Sequence, residues 1–111
     1  MIPFFSPERR LIFLTEAQYQ AKLIKRLKEM FPGCIVMKND SGYIQGIPDL
    51  TVLWNDRWAF LECKKSAKDR ERPQPNQELY IGRADQMSFG RFIFPENEEE
   101  VLRDLQRAFG S

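Results

Sequence analysis

Two strand-like runs, Asp49–Trp54 and Arg57–Lys64, flank the dipeptide Asn55-Asp56, and they constrain the fold more than any other feature. Their Leu, Val, Trp and Phe content reads as β-structure, and Asn-Asp is a fair hairpin turn, weaker than Asn-Gly. With the turn centred between Asn55 and Asp56, Leu53 faces Trp58, Thr51 faces Phe60 and Asp49 faces Glu62. Directly opposed side chains have Cβ atoms about 4.5–5.5 Å apart. Lys64 lies two residues past Glu62 and so points the same way. The other face pairs Leu50 with Leu61 and Val52 with Ala59. Both faces are therefore apolar near the turn, and only the far end of one is charged. A β-bulge would break this register.

Two carboxylates this close on a largely buried sheet repel and lose hydration. A divalent cation relieves both costs. The chain has no His, and its two cysteines, Cys34 and Cys63, form no CxxC pair. A disulfide framework, a Cys/His zinc site and a His-based triad are thereby excluded. Metal ligands must come from carboxylates, carbonyls and water, which suits Mg²⁺ or Mn²⁺. Such an ion activates water and offsets charge on a phosphodiester. Lys64 would orient or deprotonate that water, or stabilise the crowded phosphorus. The plainer alternative puts Asp49 in a turn after Pro48 and pairs Glu62 with Lys64 structurally. The hairpin register weighs against it, because Asp49 is then left with no dedicated cation.

The 111 residues suffice for one domain, 1–111, read as an N-terminal arm over 1–14 and a core over 15–109. Phe4-Phe5 and Leu11 to Leu14 are apolar bursts in the arm, which reads as extended chain or a short strand. Thr15 to Gln18 has the capping-box pattern of a helix start. That helix runs to Met30 or Phe31, with Ala17, Ala21, Ile24, Leu27 and Phe31 as its expected buried stripe. Lys22, Lys25, Arg26 and Lys28 then form a solvated face. Cys34 to Met37 reads as a buried strand, and residues 65–76 as a loop. A helix from Pro75 or Asn76 to Ser88, a strand over Arg91 to Phe94 and a helix over Glu98 to Phe109 complete the order. Glu98, Glu99 and Glu100 suit the positive end of that last helix. The fold class is α/β or α+β, a mixed central sheet flanked by helices.

Gly46-Ile47-Pro48-Asp49-Leu50, followed by Phe60-Leu61-Glu62-Cys63-Lys64, resembles the PD-(D/E)XK nuclease superfamily, and within it the VRR-NUC domain. Gln77, in Pro75-Asn76-Gln77-Glu78, matches that group's glutamine after the catalytic strand. The likeness spans about residues 15–105 and is most specific over 46–77. It implies a restriction-endonuclease-like core and Mg²⁺- or Mn²⁺-dependent cleavage of DNA. It also implies catalytic roles for Asp49, Glu62, Lys64 and Gln77, and the main-chain carbonyl of Cys63 as a metal ligand. An acid in the first helix often completes such sites. Glu16 is the candidate, and its other reading is a helix-dipole acid; Gln20, one turn on, would assist. Small stand-alone members of phage or prophage type resolve junctions, so the resemblance points to Holliday junctions, flaps or other branched DNA.

Lys65, Lys68, Arg70 and Arg72 continue from the site and are candidate phosphate contacts, though Asp69 and Glu71 dilute the cluster. Lys38, Asn39, Ser41 and Tyr43 precede it and are candidate contacts to the scissile strand. With 17 basic and 16 acidic residues, a net charge of +1 gives no global pull toward nucleic acid, so binding depends on this local clustering. No base-reading motif is present, and shape or end recognition is expected. A minimal nuclease of this kind gains from dimerising, and the apolar arm would supply the contact. Two alternatives stay open: a restriction-like or host-takeover nuclease acting on duplex DNA, and a non-cleaving DNA-binding protein on a nuclease fold. The start of the sequence has neither a basic leader nor an apolar span, and a reducing cytoplasm is the expected location, with no membrane partner and no small-molecule cofactor.

Overall fold

The computed structural model describes residues 4–5, 11–12 and 14–110. Ten elements follow one another: β1 (Phe4–Phe5), β2 (Leu11–Ile12), α1 (Glu16–Met30), β3 (Ile35–Lys38), β4 (Leu50–Trp54), β5 (Arg57–Cys63), α2 (Ala67–Arg70), α3 (Gln77–Met87), β6 (Gly90–Ile93) and α4 (Glu98–Phe109). β1 and β2 form a separate antiparallel pair. The rest of the arm, and with it most of the expected dimer contact, lies outside the described residues.

The main sheet has the order β3-β4-β5-β6. β3, β4 and β5 run antiparallel, and β6 joins β5 in parallel. The hairpin has the expected register, with Leu50 opposite Leu61, Thr51 opposite Phe60 and Trp54 opposite Arg57. Asn55 takes φ 54°, a left-handed conformation that Asn tolerates in a two-residue turn. Helices cover both faces. Tyr19, Leu23 and Leu27 of α1 and Val101, Leu102, Leu105 and Phe109 of α4 pack on the face carrying Leu50, Val52, Ala59, Leu61 and Cys63. At the turn end of that face, Phe31, Trp54 and Phe109 meet with ring centroids 5.2–6.1 Å apart. α3 packs on the other face against β5 and β6.

The α1 capping box forms, with Thr15 accepting from the Gln18 amide and Gln18 reaching back to Thr15. Its buried stripe differs from the expected one. Tyr19, Leu23 and Leu27 are buried, whereas Ala17 and Ala21 are exposed. The larger side chains bury more apolar area, so the helix rolls to put them on the sheet. Arg26 is also not merely solvated: its guanidinium bonds Glu98 at 2.5 Å and both oxygens of Glu99, clamping α1 to α4.

Two further expectations are corrected. β3 is an edge strand, not a buried one; Ile35 is 57% and Met37 43% exposed. Four apolar residues cannot reveal that only one side of them is paired. Residues 65–76 are not wholly loop, because Ser66 caps the Asp69 amide and starts the single-turn α2. Among the described residues no helix is long and apolar enough to cross a membrane.

Candidate active site

The charged end of the hairpin lies opposite the aromatic cluster. The regular ladder stops at Leu50–Leu61, and one residue further on side chains replace main-chain pairing. The Asp49 amide donates to Glu62 Oε1 at 3.2 Å, and the Cys63 amide donates to Asp49 Oδ2 at 2.9 Å. Asp49 and Glu62 are thus brought together as the register required, but through their carboxylates rather than through a main-chain pair.

Lys64 completes the group from the same face. Its Nζ lies 3.8 Å from Glu62 Oε2 and donates to Gln77 Oε1 at 3.0 Å. Gln77 Nε2 donates to Glu62 Oε2 at 2.9 Å, and Gln77 Oε1 also accepts from the Gln74 amide at 2.8 Å. Gln77 therefore bridges acid and lysine while anchoring the start of α3. Glu62 and Lys64 are 2% and 6% exposed. Burial, then the neighbouring Asp49 charge and the hydrogen bond between the two carboxyls, pushes the Glu62 carboxyl up to about 8 against the opposing pull of Lys64. One buried ammonium does not offset two acids.

The Cys63 carbonyl follows from peptide geometry. The Lys64 amide donates to the Ile93 carbonyl on β6 at 2.9 Å. In a trans peptide the Cys63 C=O points the opposite way, toward the β4 side where Asp49 sits. Burial raises the Cys63 thiol, and a hydrogen bond from Gln20 partly offsets this. Gln20 thus serves the underside of the strand. Glu16 is the first residue of α1 and is exposed. Partial burial raises its carboxyl, followed by the Asp49 charge, with Lys64 opposing. It lies within electrostatic reach of the pair. Among the described residues, no three His, Cys, Asp or Glu side chains converge as a ready cation cage.

Gly46 explains the glycine before Pro48-Asp49. It has φ +86°, and a Cβ there would sit 2.5 Å from Asn76 Cβ and 2.6 Å from the Pro75 carbonyl oxygen. The loop before Asp49 thereby abuts the start of α3, one residue from Gln77. Asn39 braces the other side: its amide donates to Asp49 O, its Nδ2 to Pro48 O, and its Oδ1 accepts from Thr51 Oγ1. Asn39 is a positioning residue, not a surface contact; an isolated Asn after a short strand carries no sign of that.

The candidate DNA contacts divide. Lys38, Ser41, Tyr43, Lys68 and Arg72 are exposed. Lys65 lies 3.9 Å from Asp69 across one turn. Arg70 stacks 3.7 Å over the Phe92 ring and lies 3.4 Å from Glu78. Phe92 is the cross-strand neighbour of Glu62 on β6, so Arg70 roofs the strand beside the acid. The sequence offers no signal for that stack, since the two residues are far apart in the chain. No family model, no curated protein and no solved structure matches the chain.

Proposed function

We propose that this chain is a metal-dependent endonuclease that hydrolyses DNA phosphodiester bonds at Asp49, Glu62 and Lys64. The observation that carries this reading is the meeting of half-buried Asp49 with the buried Glu62, whose other oxygen faces the buried Lys64. A group that only stabilised the fold would be better served by apolar side chains of the same volume. The donor set fits a hard cation: two carboxylates, with the Cys63 carbonyl directed to their side. Asp49, Glu62 and that carbonyl would hold Mg²⁺ or Mn²⁺, which when bound supplies a Lewis acid toward water and phosphate. Lys64, held by Gln77, places an ammonium where it orients the attacking water or offsets charge on phosphorus. Glu16, which feels the Asp49 charge, is the candidate third acid.

The match of Gly46 to Asp49, Glu62 to Lys64 and Gln77 with the PD-(D/E)XK pattern supports the same reading, as does a mixed sheet with helices on both faces. By that likeness we read the core as restriction-endonuclease-like, the substrate as branched DNA, the working form as a homodimer and the location as a reducing cytoplasm. Cys34 and Cys63 are free thiols, in keeping with such a compartment. The lack of a third converging acid among the described residues favours the second reading, a DNA-binding protein that does not cut. Purified protein incubated with a four-way junction, a flap and linear duplex, in Mg²⁺, Mn²⁺ or EDTA, separates them. Metal-dependent cleavage of the branched substrates is expected. Preference for linear duplex would favour a restriction-like role, and no cleavage anywhere would leave the binding protein.

A further inference from the structure

The 39–48 loop does more than deliver Asp49. Tyr43 is 85% exposed, the most exposed of the large apolar side chains described, and Ile44 beside it is 36% exposed. An aromatic ring held in water on a slack loop would mean little, but this loop is braced. The Tyr43 and Ile44 amides donate to the Asp40 carbonyl, the Ile47 amide to the Ile44 carbonyl, and the Gly42 amide to Asp40 Oδ1. Gly46 abuts Asn76 and Pro75, and Asn39 ties the stem to Asp49. Tyr43 is three residues from Gly46, a span of about 10 Å at full extension. The ring is therefore carried on a braced loop that abuts the start of α3 at Gly46 and runs straight into Asp49.

The surroundings suit a nucleic acid strand better than a protein partner. Lys38 ends β3 and is exposed, and Lys68 and Arg72 are exposed just beyond Lys64. Exposed cations before and after the site, together with an exposed ring on the loop between, suit the way single-stranded segments are held: backbone on the cations, base on the ring. Bases in intact duplex are already stacked and present no free face.

We propose that Tyr43 stacks on an unpaired base next to the scissile phosphodiester, and that this contact selects branched or single-stranded DNA over intact duplex. The inference rests on the nuclease reading for the meaning of the neighbouring site. The test has two arms that fail separately. In the first, Asp49→Ala protein is titrated in Mg²⁺ into a bulged or junction DNA carrying 2-aminopurine at an unpaired position, with fully paired duplex as reference. Saturable fluorescence quenching is expected with the unpaired probe only. Adding Tyr43→Ala should weaken that binding on the order of tenfold, Tyr43→Trp should restore it, and duplex binding should change less than about twofold. In the second arm, cleavage by otherwise wild-type protein should lose its preference for unpaired substrates on Tyr43→Ala, with an unchanged melting temperature. Absence of quenching with Tyr43 in place, or equal quenching with and without Tyr43→Ala, overturns the stacking inference whatever the cleavage result. Cleavage of no substrate overturns the nuclease reading whatever the quenching.

Discussion

Asp49 and Glu62 hold each other's polar groups, yet each is expected to fail differently. Asp49→Ala removes a carboxylate from the candidate metal site and should lower cleavage about 10³-fold or more, the scale of several kcal/mol of charge stabilisation. Binding to uncut DNA should change by only a few fold. Cleavage that survives in Asp49→Ala would move the site elsewhere. Glu62 is best tested by pH without metal. Its folded-state carboxyl is raised from the ordinary value to about 8, so the folded protein binds the extra proton between those limits. Stability in EDTA should therefore fall as pH rises from about 5 to about 8. Glu62→Gln removes the titration and should flatten that part of the curve. The stability lost between those pH values is expected to be greater in the wild type than in Glu62→Gln by at least roughly 1 kcal/mol, or about 4–8 °C in melting temperature for a domain of this size. Equal slopes in the two proteins would mean that the carboxyl is not buried against Asp49. The outright sign of the Glu62→Gln effect at one pH is less informative. Its one carboxamide oxygen would replace two acceptors, so its NH₂ would face either Gln77 Nε2 or the Asp49 amide, both donors, which costs stability independently of charge.

The elements meet closely where glycine allows it. A Cβ at Gly90 would lie 2.4 Å from the Ile81 carbonyl oxygen, so β6 accepts α3 at backbone distance and the Gln77 end of α3 is held over β5. Gly46 does the same for the loop before Asp49. A Cβ at Gly33, where φ is +87°, would meet nothing within 4 Å, whereas one at Gly46, where φ is +86°, would strike Asn76 and Pro75. The two share the left-handed strain of about 1–3 kcal/mol on substitution and differ in the contact. Gly46→Ala should therefore destabilise more than Gly33→Ala in denaturant melts, and only Gly46→Ala should depress cleavage, through displaced Asp49 and Gln77. Equal losses for both would show that the loop does not position the site. Which elements form is largely legible in the sequence. The capping box, the Asn-Asp turn and the periodicity of Val101, Leu102, Leu105 and Phe109 are local signals, and α1, the hairpin and α4 follow them. The edge position of β3 and the single turn of α2 are not legible there, because both depend on neighbours distant in the chain.

For the whole molecule, the candidate site joins the charged end of the sheet at Asp49, Glu62 and Lys64 to the α3 start at Gln77, with Glu16 of α1 in electrostatic reach. A cation bound there binds the folded chain alone, so its addition should raise the melting temperature. At a hundredfold excess over the dissociation constant the gain is about 2.7 kcal/mol. The shift should appear with Mg²⁺ or Mn²⁺, vanish with EDTA and be lost in Asp49→Ala. A shift that persists in Asp49→Ala would place the cation at another site.

The linear order of residues determined the hairpin, its register and the placing of Asp49, Glu62 and Lys64 on one face. A turn and an alternating pattern set these locally, with a side-chain period of two. Only the tertiary structure decided what surrounds them. Gln77 bridging Lys64 and Glu62, Asn39 bracing Asp49, Arg26 clamping α4 and Arg70 lying over Phe92 all join residues distant in the chain. Such contacts depend on which helix covers which strand, and that is settled by the competition of whole faces for burial.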